Sequence, residues 1–235
     1  MINTVLIIPC GGSGKRFGGE IPKQYVELDK VPILFRSLQA FSATKMISSC
    51  IIAADEAWHS FILDNVKKYK LTFDVNCVTG GEQRQDSVMN ALFSDYCSGA
   101  DKVLIHDAVR PFVSSELIKN LINMLNIWSA VIPVIPVKDT IKVLDENGFV
   151  SSTPDRSRLA AVQTPEAFRY ACLCDAFKAN IQRQKMVTDD ASLVELMGEK
   201  VKTIVGEAAN FKITDRNDFL NAENYLRISK QSDEL

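Results

Sequence analysis

Val5-Leu6-Ile7-Ile8-Pro9-Cys10 runs straight into Gly11-Gly12-Ser13-Gly14-Lys15-Arg16-Phe17, and Pro22-Lys23-Gln24 follows a few residues later. A short apolar run ending in glycines reads as a buried strand that opens into a loop. Glycine lets backbone N–H groups turn inward and approach an oxyanion with no Cβ in the way. Lys15, Arg16 and Lys23 add full charges to that concavity. The combination reads as a polyphosphate cradle, the plainer alternative being an open βα loop with solvated charges. Spacing separates it from two common phosphate motifs. A P-loop needs a glycine five places before Gly14 and Ser or Thr after Lys15, but those positions hold Pro9 and Arg16. A dinucleotide fingerprint needs its third glycine where Phe17 stands, which argues against an NAD or FAD turn.

Outward from this segment, further apolar runs at 50–54, 73–78, 103–105 and 130–137 are bounded by Gly, Asp or Pro, with helical spacing between them. Ile33, Leu34, Leu38 and Phe41 form one apolar face, and Leu117, Ile118, Leu121, Ile122 and Leu125 another. Strands alternating with such helices predict a single doubly wound α/β domain over 1–235 with a mostly parallel, Rossmann-like sheet. Ligands of such sheets bind beyond the carboxyl ends of the strands, where the first loop, the 80–87 segment and the 106–110 segment all fall. Residues 138–164 break the alternation. Asp139-Thr140-Ile141-Lys142-Val143-Leu144 alternates, Asp145-Glu146-Asn147-Gly148 reads as a hairpin turn, and extended spacing resumes at Phe149. This predicts a projecting β-arm, which has little core of its own and needs a surface to pack on. Thr188-Asp189-Asp190 reads as an N-cap with acids in the first turn of a helix, 201–205 as a return to the sheet, and Asp215-Arg216-Asn217-Asp218 as the start of a terminal helix. Only the last few residues read as disordered.

The chain has 235 residues, of which 46% are hydrophobic, enough for a sizeable core. A formal charge of −2 supplies no global field for nucleic acid or an anionic membrane, so neither is expected as a partner and any anion site must be built locally. No basic leader and no apolar run of bilayer length is present, and a cytoplasmic protein is expected. Cysteines at 10, 50, 77, 97, 172 and 174 are too sparse and irregular for a disulfide framework. Cys172 and Cys174, two apart on an expected helix, point to different faces and make a poor chelating pair. His59 and His106 are the only histidines, so a histidine-rich zinc site is not expected.

The run from Gly11 to Phe17, Pro22-Lys23-Gln24-Tyr25, Gly80-Gly81-Glu82-Gln83-Arg84-Gln85-Asp86-Ser87-Val88, His106-Asp107-Ala108-Val109-Arg110-Pro111 and Asp155-Arg156-Ser157-Arg158 together resemble the 2-C-methyl-D-erythritol 4-phosphate cytidylyltransferases. Gln163-Thr164-Pro165, Thr188-Asp189-Asp190-Ala191-Ser192 and Phe211-Lys212-Ile213-Thr214 extend the resemblance in family order over nearly the whole chain. One departure is Cys10-Gly11 where the family usually has Ala-Ala, both pairs being small. The resemblance implies a nucleotidyltransferase fold whose β-arm embraces a second subunit. It implies CTP held by Cys10, Gly11, Gly12, Gly14 and Lys15, with the backbone of Gly81 and Glu82 and the Ser87 side chain reading the cytosine edge. From the residues alone, Asp86 or Ser87 could equally cap the helix that follows.

Asp107 ends a strand beside the expected triphosphate, where a carboxylate repels phosphate unless a cation lies between them, so it is the expected Mg²⁺ ligand. A turn or cap role is the alternative. As a metal ligand alone it would be dispensable for stability. Arg110 is expected to tether Asp107 or a phosphate, and His106 to pack behind them. The implied reaction is attack of a phosphate monoester on the α-phosphorus of CTP, with loss of pyrophosphate. Its nucleophile is already anionic near neutral pH, with a second pKa of about 6, so no general base is required. Arg16 and Lys23 are the expected catalytic cations. Arg156 and Lys212 match the family residues that hold the attacking phosphate, with Thr140, Thr164 and Thr188 as hydroxyl contacts; exposed ion pairs are the alternative for both cations. Methylerythritol phosphate is the expected acceptor, a pentitol phosphate such as ribitol 5-phosphate its nearest rival, and a regulatory nucleotide-binding module without catalysis the rival of another class.

Overall fold

Both faces of the first strand are buried, and its alternate side chains enter different cores. In this computed structural model, which describes residues 2–12, 17, 21–183 and 185–233, Leu6 and Ile8 point to one side of the sheet and Val5 and Ile7 to the other. That two-sided burial is what a continuous apolar run demands of a central parallel strand. The strands are β1 (Thr4–Pro9), β2 (Glu27–Leu28), β3 (Val31–Pro32), β4 (Ser49–Ala54), β5 (Asp74–Thr79), β6 (Lys102–Ile105), β7 (Ala130–Pro136), β8 (Val143–Leu144), β9 (Val150–Ser152), β10 (Ala160–Val162), β11 (Glu166–Arg169) and β12 (Lys202–Val205). The helices are α1 (Ile33–Thr44), α2 (His59–Tyr69), α3 (Arg84–Leu92), α4 (Ser115–Met124), α5 (Tyr170–Arg183), α6 (Ala191–Leu196) and α7 (Arg216–Asp233).

The main sheet places β6, β1, β4 and β5 side by side in parallel. Antiparallel β11 lies between β6 and β7, and β12 runs parallel to β7 on its other edge. β10 and β11 both pair along one edge of β7, as two segments interrupted at Gln163-Thr164-Pro165. One core, beneath α1, α2 and α4, gathers Leu34, Leu38, Phe41, Leu117, Ile118 and Leu121. The opposite core lies beneath α3, α5 and α6, and a smaller cluster seats α7 through Ala222 against Phe17, Leu28 and Ile33. The doubly wound expectation holds. The antiparallel β11 differs from expectation, because a four-residue strand paired on both edges, with β6 and β7, is too short to show a periodicity.

The arm is less regular than its alternating sequence suggests. Only β8 and β9 pair, closed by a turn in which the Asp145 carboxylate accepts the N–H groups of Asn147 and Phe149 and Gly148 takes φ +83°. The return limb rejoins the main sheet at β10. The start of α6 also differs from expectation. Asp190 occupies the N-cap and Asp189 accepts the Ser192 N–H at 3.0 Å, so Thr188 lies ahead of the helix and caps nothing.

Candidate active site

The loops leaving β1, β5 and β6 at their carboxyl ends meet the 210–214 segment around one cavity of about 440 Å³, within the range of small-molecule sites. Cys10, Gly11, Gly12, Lys23, Gly81, Glu82, Ser87, Arg84, Asp107 and Lys212 all line it. Backbone hydrogen bonds carry the sheet ladder past the strand ends: the N–H of Cys10 reaches the Ala53 carbonyl at 2.7 Å, and that of Gly80 the Ala54 carbonyl at 2.8 Å. The Gln24 amide, buried behind the cradle, donates to the carbonyls of Cys10 (2.9 Å) and Gly12 (3.2 Å) and so ties the Lys23 segment to the first loop. Burial pushes the Cys10 thiol up to about 12, which rules it out as a nucleophile at neutral pH.

The second wall is a turn that tolerates only glycine at one point. A Cβ on Gly81 would fall on the Asp86 side chain. Asp86 accepts the Gln83 N–H at 3.0 Å, closing the start of α3. The buried Ser87 hydroxyl accepts the Gly81 N–H at 3.0 Å and donates to the Gln83 carbonyl at 3.2 Å. Asp86 therefore serves as the helix-start partner that the residues allowed, and Ser87 holds the shape of the turn from its place on the cavity wall.

Asp107 sits at the floor among three cations. Lys212 Nζ is 3.0 Å and Arg110 Nε 3.3 Å from Oδ2, while Arg84 Nε is 3.5 Å from Oδ1. Burial alone would raise this carboxyl; Lys212, Arg84 and Arg110 together outweigh it and hold the pKa well below the usual carboxylate range. Behind it lies fully buried His106. Its Nε2 is 3.0 Å from the Arg110 carbonyl, which can only accept, so Nε2 carries the proton. Nδ1 then accepts from the Thr164 hydroxyl, 3.0 Å away, and the Thr164 oxygen accepts the Asp107 N–H at 3.0 Å. Burial keeps the imidazole neutral, with its pKa pushed down to about 4. Thr164 is thus committed to positioning the Asp107 backbone.

Arg84 extends the charge network inward. Its Nη1 donates to Asp190 Oδ2 at 2.6 Å, and Asp190 and its neighbour Glu166 are each only 1% exposed. Burial raises both carboxyls, and the Asp190 charge raises Glu166 further. Arg84 pulls on both but donates its short hydrogen bond to Asp190, so Glu166 is the one raised further. From sequence, Arg84, Glu166 and Gln24 have no role and Asp190 only a place in a helix start. Arg84 carried one usable signal: a cation in the first turn of a helix opposes the helix dipole and needs an anion to hold it.

Of the residues singled out in the sequence, Cys10, Gly11, Gly12, Lys23, Gly81, Glu82, Ser87, Asp107 and Lys212 converge on the cavity, with Arg110 and Thr164 supporting Asp107. Gly14, Lys15 and Arg16 lie outside the described residues. Three residues are not brought in by this chain. Arg156 lines a different hollow with Lys138 and Asp155, its Nη1 donating to the Lys138 carbonyl at 2.7 Å. Thr140 is exposed on the arm, and Thr188 is exposed ahead of α6. No group of three or more metal-binding side chains occurs among the described residues, so a cation here would depend on Asp107 and on ligand oxygens. No helix among the described residues is long and apolar enough to cross a membrane.

Comparisons with known proteins bear directly on this site. The family model described as IspD, 2-C-methyl-D-erythritol 4-phosphate cytidylyltransferase, matches residues 4–228. A protein of that name from Bacillus cereus is 41% identical over 96% of this chain and 99% of its own length. One from Syntrophus aciditrophicus is 37% identical over 95% and 96%. The crystal structure of 4-diphosphocytidyl-2C-methyl-D-erythritol synthase from Anaerococcus prevotii superposes with a TM-score of 0.84 at 32% identity, covering 96% of this chain and 99% of that one. The cytidylyltransferase structure from Thermus thermophilus gives 0.78 at 28% identity, over 97% and 100%. With the matches running through both walls of the cavity and almost to the end of α7, the chain belongs to the 2-C-methyl-D-erythritol 4-phosphate cytidylyltransferase family.

Proposed function

We propose that this protein transfers the cytidylyl group of CTP to 2-C-methyl-D-erythritol 4-phosphate, giving 4-diphosphocytidyl-2-C-methyl-D-erythritol and pyrophosphate in isoprenoid synthesis. The observation that carries the reading is the cavity at the strand ends, where a glycine turn faces Lys23, Arg84 and Lys212. A phosphate oxygen of the acceptor attacks the α-phosphorus of CTP, the bond to the β-phosphate oxygen breaks, and pyrophosphate departs with the displaced electron pair. The acceptor phosphate is anionic at neutral pH, so the protein's task is to position reactants and stabilise charge. Lys23 faces the α-phosphate, Lys212 holds the attacking phosphate, and the backbone of Gly81 and Glu82 reads the cytosine edge. Arg16 and Lys15 complete the cationic cradle in this reading.

Asp107 suits a divalent cation through one oxygen. Among the described residues, Oδ2 is committed to Lys212 and Arg110, whereas Oδ1 has only the long 3.5 Å contact with Arg84. One carboxylate oxygen together with phosphate oxygens and water is an ordinary Mg²⁺ environment, and the ion would supply charge neutralisation of the triphosphate. The protein acts as a homodimer in this reading. The arm's exposed Ile141, Val143, Leu144, Phe149 and Val150 form its contact surface, and Arg156 enters the partner's cavity beside the acceptor phosphate. With nucleotide and sugar phosphates as substrates, its place of action is the cytoplasm.

Pyrophosphate release from CTP, measured with methylerythritol phosphate, with ribitol 5-phosphate and with no acceptor, tests the reading. Release is expected with the first alone. Preference for the pentitol phosphate would overturn the acceptor, and release with neither would point to a module without catalysis.

A further inference from the structure

Asp190 is an expensive residue to bury. Its side chain is 1% exposed, Oδ2 is satisfied by Arg84 at 2.6 Å, and Oδ1 has no hydrogen-bond partner among the described residues. A buried carboxylate with one orphaned oxygen costs stability, and such groups persist where they do something the fold alone does not need. Glu166, equally buried, spends its Oε2 on the Ala191 N–H at 2.9 Å and so fixes the first residue of α6 beside Asp190. Asp190 does not line the cavity; it reaches the cavity only through Arg84.

The geometry around Arg84 shows what that reach does. One guanidinium stands between two carboxylates and is unequally shared, at 2.6 Å from Asp190 and 3.5 Å from Asp107. Freed from Asp190, it would close on Asp107 Oδ1, because an unscreened ion pair strengthens as it shortens. All of the Asp107 oxygens would then be committed to side-chain cations. We propose that Asp190 is a positioning residue that holds Arg84 back from Asp107, keeping Oδ1 open toward the cavity for a divalent cation carried by the nucleotide. The inference rests on the reading of Asp107 as the metal-facing carboxylate.

The test is CTP binding by titration calorimetry with and without Mg²⁺, well below the melting temperature, together with kcat and both KM values. In Asp190→Asn the gain in CTP affinity that Mg²⁺ confers is expected to shrink about tenfold and kcat to fall, with metal-free CTP affinity within twofold of wild type. Adding Arg84→Gln to Asp190→Asn is expected to recover much of the metal-dependent gain, since the competing cation is gone. If Asp190→Asn does not fold, Arg84→Lys is the second probe. Lysine can pair with Asp190 but cannot span both acids, so the gain is expected to survive. A metal-dependent gain and kcat within twofold of wild type in Asp190→Asn would overturn the proposal, as would equal losses with and without metal, or loss of the gain in Arg84→Lys. Absence of any Mg²⁺ effect in the wild-type protein would instead overturn the role of Asp107.

Discussion

Asp107 shows how one side chain carries two burdens. It is almost wholly buried and faces Lys212, Arg110 and Arg84, whose charges hold it ionised. A surface metal ligand could be neutralised without loss of stability, as the sequence suggested. The observed cluster reverses that expectation, since Asp107→Asn leaves three neighbouring cations without their shared anion. It is expected to lose about 1–3 kcal/mol of stability and to need more Mg²⁺ for half-maximal activity. Denaturant melts and a Mg²⁺ titration of turnover read the two effects separately; a native melt with an unchanged Mg²⁺ requirement would refute both. At the same scale, Thr164, expected to touch substrate, gives its one O–H to His106 and accepts the Asp107 N–H. Composition cannot show which hydroxyls a fold will consume.

Among the elements, the arm is the one whose form most requires something outside the chain. Its strands pair over two and three residues, and Phe149 is 72% exposed. A hairpin of that kind is marginal alone, which supports packing against a second subunit. Arg156 lies on the same element, in a hollow that shares no lining residue with the Lys23 cavity. The prediction that belongs here uses coexpressed Lys23→Ala and Arg156→Ala chains. Each homodimer should be nearly inactive, since losing one preorganised charge lowers turnover roughly 10²–10³-fold. A mixed dimer would hold one site with both changes and one with neither, so random pairing should restore about a quarter of wild-type activity. No recovery in a mixture shown to contain heterodimers would refute the shared site. By contrast α3 and α6 need nothing external: Asp86 and Asp189 close their first turns, and the Arg84–Asp190 pair ties one to the other.

Across the whole molecule, buried titratable groups set opposing responses to pH. His106 binds its proton near pH 6.5 when unfolded and at about 4 when folded. Between those values the unfolded chain holds more protons, so this group's share of stability is complete above about 6.5 and is lost as pH falls toward 4. Glu166 works in the other direction: its folded pKa is raised, and its share is present at low pH and lost as pH rises. Glu166→Gln removes the second effect alone. Relative to wild type, its stability is expected to gain an upward slope as pH rises above about 4.5, of at most one proton, roughly 1.4 kcal/mol per pH unit. Denaturation midpoints across that range give the difference, and identical slopes would show that Glu166 is ionised in the folded protein. These groups also mark the boundary between what was legible and what was not. By itself the sequence determined the doubly wound class, the parallel strands, the glycine turns, the Lys23 loop cation and Asp107 at a strand end, while Lys212 came only from the family resemblance. Those features are local, written in apolar periodicity, in glycines where backbones approach and in charged residues at strand ends. Only the tertiary structure decided that β11 enters antiparallel between β6 and β7, that Arg84 is shared between Asp107 and Asp190, and that Thr140, Arg156 and Thr188 stand outside the cavity of their own chain. Each depends on how stretches far apart in sequence are brought together, as when Asp107 and Asp190 share Arg84, and that has no trace in any single stretch of chain.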